Sequence, residues 1–257
     1  MIKMIDATCL IAATCRSVGE HLPRNLPILE AIGTLFTSAR YVFVENNSTD
    51  TTVEQLVAFQ TRLGHARVEV LALGDLAAEI PQRTARLAYC RNLVLDRTAG
   101  ADYLLWVDVD DRLGSSFDTQ GLLSCFSYSD WTMMSANQPS YYYDLWALRR
   151  PGFNYDVFAW QRELNARVGP VRASLCVYAT LFYHSLVARW HPSAAPIPVY
   201  SAFGGMAIYN TKAIRPCCRY VGVDSSGNEV CEHVAFNTCL NSHAPGTLFI
   251  NPKLINS

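Results

Sequence analysis

The sequence predicts an α/β protein: a mostly parallel sheet with helices packed on both faces. Three observations carry this expectation. Apolar strand-like runs alternate with amphipathic helical stretches through the first hundred residues, the pattern of consecutive β-α-β units. The run Tyr103–Val107, "YLLWV", shows no inside-outside alternation, as a strand covered on both faces should not. Half of the 257 residues are hydrophobic and 17% are charged, which supports one sizeable core in a single domain spanning 1–257.

The elements follow in order. "DATCLIAATC" (6–15) reads as the first strand, and Leu26, Leu29, Ile32 and Phe36 then fall on one face of a helix. "YVFVE" (41–45) is the second strand, followed by the turn "NNSTD". The next helix opens with a capping box, Thr51 and Glu54, and stops at Gly64. "RVEVLAL" (67–73) is the third strand. A helix from about Arg83 to Ala99 is stopped by Gly100 and leads into Tyr103–Val107. The second half has weaker periodicity and is rich in aromatics, as in "SYYYDLWALRRPGFNYDVFAW", with a proline-rich stretch, "HPSAAPIPVYSAFGG". It reads as an elaboration that covers a ligand cleft.

Composition narrows the function. A net charge of -1 argues against a polyanion-binding surface, so nucleic acid is not an expected partner. The first twenty residues lack a basic segment followed by a long apolar one, and no stretch has the apolar length of a membrane span. A cytoplasmic protein is expected. Nine cysteines without a CxxC pair read as reduced, mostly buried thiols, not a disulfide scaffold. The adjacent Cys217 and Cys218 look badly placed to chelate one metal or to bridge each other.

The chemistry concentrates where the apolar strand ends. Asp108, Asp110 and Asp111 follow Val107 directly. Clustered carboxylates stay ionised cheaply only when a cation joins them, and a hard divalent ion does so while holding phosphates. Open parallel sheets bind ligands beyond the carboxyl ends of their strands, where both "ENNSTD" and "DVDD" lie. Asp108 and Asp110 are therefore the expected metal ligands, and Asp111 reads as a turn residue.

"YLLWVDVDD" resembles the DxD segment of the GT-A glycosyltransferases, which use a nucleotide-diphospho-sugar donor and usually Mn2+ or Mg2+. "VFVENNSTDTT" is similar to the "VDDGSTDGT" segment of the large family 2 glycosyltransferases, and "YCRNLVLDRTAGADYLLWVDVDD" to their "ARN" helix and DxD strand. Three motifs in order cover roughly Leu10 to Leu113. The resemblance implies a GT-A fold with a nucleotide-sugar-binding half, 1–113, and an acceptor-binding and catalytic half, 114–257. It places donor contacts at Thr14, Arg16, Glu45, Asn47 and Asp50. Asn46 and Asn47 depart from the usual acidic and glycine residues, leaving Glu45 as the nearest carboxylate for base and ribose. Arg91, in the "RN" match, either reaches donor phosphates or orders the DxD loop. Arg83 and Arg86 share a helical face and are explained equally well as solvated side chains.

Downstream, "YYDLWALR", "SAFGGMAIYNTKAI" and "CEHVAFN" resemble the fungal capsule-associated mannosyltransferase family and its bacterial and viral relatives. Asp144 and Trp146 suit a sugar, with the ring stacking on its face and the carboxylate holding its hydroxyls. Gly204 and Gly205 would let backbone approach a ligand, unless they mark a plain turn. Glu232 stands where an acidic residue would serve as base in an inverting reaction, or position the acceptor in a retaining one. Its alternative is dipole compensation in a first helical turn. His233 is a candidate third metal or phosphate ligand, with His243 as its rival. The expected activity is metal-dependent transfer of a hexose from a nucleotide-diphosphate donor to a hydroxyl of a glycan or glycolipid acceptor. Two other readings are a non-catalytic sugar-nucleotide- or carbohydrate-binding protein of the same fold, and a sugar nucleotidyltransferase. The latter lacks its Gly-rich, basic N-terminal loop here.

Overall fold

The computed structural model describes residues 4–114 and 117–256. Its centre is an eight-stranded sheet built from β1 (Ile5–Cys15), β2 (Phe36–Glu45), β3 (Val68–Ala72), β4 (Tyr103–Val107), β5 (Met133–Asn137), β6 (Ile197–Pro198), β7 (Met206–Asn210) and β8 (Leu248–Ile255). The strand order is β3-β2-β1-β4-β7-β5-β8-β6. The first four strands are mutually parallel, β7 runs antiparallel between β4 and β5, and β8 is parallel to β5. The central strands β1, β2 and β4 have two covered faces. Leu10, Ala12, Val42, Val44, Leu104 and Trp106 join one core cluster, while Ile11, Ala13, Tyr41, Phe43, Leu105 and Val107 join the other. The missing alternation in "YLLWV" has this cause: both faces of β4 meet apolar layers.

On one side lie α1 (Leu22–Gly33), α2 (Thr52–Leu63) and α5 (Thr119–Cys125), which insert Leu29, Ile32, Leu56, Phe59 and Leu122. The opposite layer holds α3 (Leu76–Glu79), α4 (Arg83–Leu95) and α8 (Glu232–His243), with Val94, Phe236 and Leu240 in its core. At the periphery, α6 (Val157–Val168) and α7 (Pro170–Val187) pack together, and α7 keeps Val171, Leu175, Tyr178 and Phe182 exposed. Among the described residues, no helix is long and apolar enough to cross a membrane.

Several local expectations change. Phe36 begins β2 instead of ending a helix: α1 stops at Gly33, and the strand runs five residues further upstream than "YVFVE". The α4 helix ends at Leu95, where the chain turns through Asp96–Thr98. Thr51 precedes α2 but makes no side-chain cap. Asp50 Oδ1 accepts from the Thr52 backbone at 3.0 Å instead, and the Thr51 hydroxyl accepts from Gln55. The thiol expectation also needs correction. Cys218 and Cys239 form a disulfide, because α8 packs its outer turn beside the segment after β7 and brings two residues 21 positions apart into contact. Free cysteines Cys9, Cys15, Cys90, Cys125 and Cys231 are buried, as expected; Cys176 and Cys217 are exposed.

Candidate active site

Strand order reverses direction at β1: β2 lies on one side and β4 on the other. The carboxyl ends of these strands open there into a crevice, the usual ligand position in such sheets. A cleft of about 420 Å³ fills that place. Its first-half walls come from Thr14, Cys15 and Arg16 at the end of β1, Asn46 after β2, Asp108–Asp110 after β4, and the arginines of α4. The second half contributes Tyr143, Asp144, Trp146, Phe203, Cys231, Glu232 and His233.

The deepest part is an ion network. Arg91 is almost fully buried and donates from Nε to Glu232 Oε1 at 3.1 Å, with its NH2 3.7 Å from Asp108 Oδ1. Its guanidinium lies over Trp106, at 4.7 Å, and Phe203, at 5.0 Å. Burial alone would loosen the Arg91 proton, but Glu232 and Asp108 outweigh it and hold the pKa above the ordinary value. For Asp108, burial dominates. Arg91 offsets part of it, Asp110, Asp144 and Glu232 add repulsion, and the pKa rises to about 7. Asp144 is also raised, chiefly by burial.

His233 is buried, stacked 4.0 Å from Phe203. Among the described residues, neither of its ring nitrogens has a hydrogen-bond partner. Burial, assisted by the charge of Arg91, holds it well below the ordinary histidine pKa, so it is neutral. Its Nε2 lies 3.6 Å from Glu232 Oε1, and with a neutral ring this is no ion pair. A neutral imidazole and the carboxylates of Asp108, Asp110 and Glu232 are donor types a divalent cation accepts, and all four residues line the same cleft. Among the described residues their ligand atoms are not drawn to within metal-binding distance of one another, so an ion held by them would require side-chain rearrangement.

The loop carrying Asp108 is fixed from behind. Asp108 N donates to Gly205 O at 2.8 Å, and Gly204 N donates to Asp144 Oδ2 at 3.0 Å. Gly204 and Gly205 have φ of 65° and 78°. Neither lines the cleft: a Cβ on Gly204 would meet Ala136 O at 2.8 Å, and one on Gly205 would meet Asn256 Nδ2 at 2.6 Å. The close approach anticipated for a ligand is made by the protein itself. Asp110 Oδ1 accepts from Arg112 N at 2.9 Å, while Asp111 is exposed near Arg112. Trp146 donates to Asp156, which caps α6.

Of the expected site residues, Thr14, Arg16, Arg91, Asp108, Asp110, Asp144, Trp146, Glu232 and His233 meet in this cleft. Glu45, Asn47 and Asp50 are not part of its lining. Glu45 is buried and accepts from Ser48 N at 2.8 Å. Asn47, at φ 57°, bonds Asp75 and accepts from Ala77 N. Asp50 accepts from Gly19 N and the Thr52 hydroxyl. His243 sits at the far end of α8, outside the cleft lining. Arg83 and Arg86 line the cleft, and Arg86 is 8% exposed, donating to Ile80 O and Pro81 O. Asn46, a departure from the common motif, also lines the cleft, and so do Arg112, Tyr143, Phe203 and Cys231, which carry no sequence signal of their own but each lie within one or two residues of an expected site position. Tyr143, under the Arg112 guanidinium, was inside the quoted aromatic run.

By sequence, the chain matches no protein-family model and none of the curated proteins compared with it. By structure, it is similar to the mannosyltransferase PcManGT from Pyrobaculum calidifontis, solved with GDP-Man and Mn2+ (TM-score 0.54, 11% identity, 98% of this chain and 56% of that one). Similar too are S. aureus TarS 1-349 (TM-score 0.54, 13% identity, 97% and 59%) and the glucosyl-3-phosphoglycerate synthase of Mycobacterium tuberculosis, solved with Mn2+, UDP-Glc and glycerol 3-phosphate (TM-score 0.51, 10% identity, 98% and 72%). This chain spans little more than half the length of the first two. With its parallel four-strand half, its β7 insertion and its cleft at the β1/β4 switch, the chain has the fold of the GT-A glycosyltransferases.

Proposed function

We propose that this protein is a metal-dependent glycosyltransferase that moves a hexose from a nucleotide-diphosphate donor to a hydroxyl of a glycan or glycolipid. The observation that carries the reading is the convergence of Asp108, Asp110, Glu232 and an unpartnered His233 on one cleft at the switch point. Charge supports it. Arg16, Arg83, Arg86, Arg91 and Arg112 face the same space as four carboxylates, a balance suited to a diphosphate that arrives with a divalent cation. Structural neighbours solved with GDP-Man or UDP-Glc together with Mn2+ point the same way.

Asp108, Asp110 and His233 would hold Mn2+ or Mg2+, which when bound supplies Lewis-acid stabilisation of the leaving diphosphate. Thr14 and Arg16 contact the donor, and Glu45, Asn47 and Asp50 shape the turn on which its base and ribose rest. Asp144 and Trp146 take the sugar, one by its hydroxyls and the other by its face. The acceptor oxygen then bonds to the anomeric carbon as the bond from that carbon to the diphosphate oxygen breaks. Glu232 receives the acceptor proton in an inverting course; in a retaining one it orients the acceptor, and the departing diphosphate oxygen takes the proton. Arg91 positions Glu232 and Asp108 without touching substrate. Residues 1–113 act as the donor half and 114–257 as the acceptor and catalytic half.

A panel of UDP-, GDP- and dTDP-sugars, each with Mn2+, Mg2+ or EDTA, tests this by nucleotide release with and without glycan acceptors. Release from one donor, lost with EDTA and in Asp110→Asn, is expected. Donor binding by calorimetry with no turnover on any acceptor would favour a sugar-nucleotide-binding protein instead. No binding of any nucleotide sugar would defeat both.

A further inference from the structure

Away from the cleft, the outer end of α8 meets the segment after β7 in a cluster of soft ligands. Cys217 and Cys218 come from that segment, and Cys239 and His243 from one face of α8 at i, i+4 spacing. The three sulfurs and an imidazole nitrogen all lie within 4.8 Å of one another. Cys217 Sγ is 4.0 Å from Cys239 Sγ and 3.6 Å from His243 Nε2. A tetrahedral zinc ion with Zn–S near ~2.3 Å and Zn–N near ~2.0 Å separates its ligand atoms by about 3.5–3.8 Å, so small side-chain movements suffice.

We propose that the reduced protein binds one zinc ion through Cys217, Cys218, Cys239 and His243. The adjacency of Cys217 and Cys218, which argued against chelation in the sequence, is no obstacle once the fold brings both sulfurs to the same pair on α8. In the structure Cys218 and Cys239 are joined as a disulfide, which is the zinc-free, oxidised form of the same site. A dithiol or phosphine reductant delivers two electrons, the S–S bond breaks, and two protons give two thiols. Zinc then binds three thiolates and the neutral imidazole with release of up to three thiol protons. Soft thiolates select zinc over manganese or magnesium, so this site is chemically separate from the carboxylate cleft. Its consequence is mechanical. The α8 helix begins at Glu232 and His233, so a zinc clamp on its last turns ties the helix bearing these residues to the segment after β7.

The test is metal content and cobalt spectroscopy on the full chain. Protein reduced with a phosphine and freed of metal is titrated with Zn2+ against a chromogenic chelator, and separately with Co2+. One zinc per chain is expected, with Co2+ giving the visible bands of a tetrahedral site and a near-ultraviolet thiolate charge-transfer band. Cys217→Ser and His243→Ala should each weaken zinc on the order of a hundredfold or more. Cys176→Ser and the pair Asp108→Asn, Asp110→Asn should leave zinc binding unchanged. Cys217 is exposed, so its variant should fold, as circular dichroism will check. Absence of stoichiometric zinc in the reduced wild-type chain overturns the proposal. So does zinc affinity as tight as the wild type's in folded Cys217→Ser and His243→Ala.

Discussion

If Asp108 must lose its proton before it can ligate a cation, metal affinity should follow its ionisation. Burial and the neighbouring Asp110, Asp144 and Glu232 lift its pKa to about 7 against the pull of Arg91. Its side chain keeps 29% of its surface open to solvent, so water reaches the group and metal has access. In the metal-free protein at pH 6, roughly one molecule in eleven carries the ionised form; at pH 8 it is about ten in eleven. Mn2+ affinity should therefore fall about tenfold per unit below pH 7 and flatten above pH 8. His233 is held neutral already and adds no proton of its own in this range. Calorimetric titration of Mn2+ in buffers of different ionisation enthalpy measures both affinity and protons released. About 0.9 proton should be displaced at pH 6, about half at pH 7 and about 0.1 at pH 8. A flat affinity between pH 6 and 8, or no proton release at pH 6, would refute the reasoning.

Replacing Arg91 by Met leaves buried Glu232 and partly buried Asp108 without their cation, a loss of about 3–5 kcal/mol in urea unfolding; adding Glu232→Gln should recover part of it, and simple additivity would argue against the pair. Glu232→Gln should lower kcat about 10²- to 10⁴-fold with donor affinity nearly unchanged, read by steady-state kinetics beside donor calorimetry. An equal loss in donor affinity would assign Glu232 to donor binding. Gly204→Ala puts a Cβ against Ala136 O at positive φ and should destabilise by at least about 2 kcal/mol. Gly152→Ala has similar φ but open space and should cost about 1 kcal/mol. Equal denaturation midpoints for the two would discard the crowding argument.

The first half was legible because its signals are local. Strands β1 to β4 announce themselves as apolar runs, and parallel pairing places their carboxyl ends together without further information. That geometry alone places Asp108 and Asp110 at the cleft beyond the strand ends. Phe36 fits a helical stripe and a strand equally well, and only its pairing with Ile5 of β1, with its ring edge-on to Phe126, decides for β2. The second half resisted reading because its elements are fixed by contacts across the chain: Asp144 is held by Gly204, sixty residues later, and Arg91 by Glu232, 141 residues later. Cys218 and Cys239 likewise carry no spacing signature, so composition suggested free thiols where the fold supplies a partner.

Asn47 indicates how far the motif-level reading carries. The common pattern has glycine at this position, and the departure seemed to bear on base recognition. In the structure Asn47 takes φ 57°, the left-handed conformation that glycine adopts freely and asparagine tolerates best among the other residues. Its side chain bonds Asp75 and receives Ala77 N, tying the turn after β2 to the start of α3. Asparagine here therefore supports a left-handed turn and adds an anchor to it. Asn46, beside it, reaches the cleft and contacts Cys90 at 3.6 Å. Of the two, Asn46 lines the cleft, with an amide where the common pattern has a carboxylate, whereas the hydrogen-bonding capacity of Asn47 is engaged by the fold.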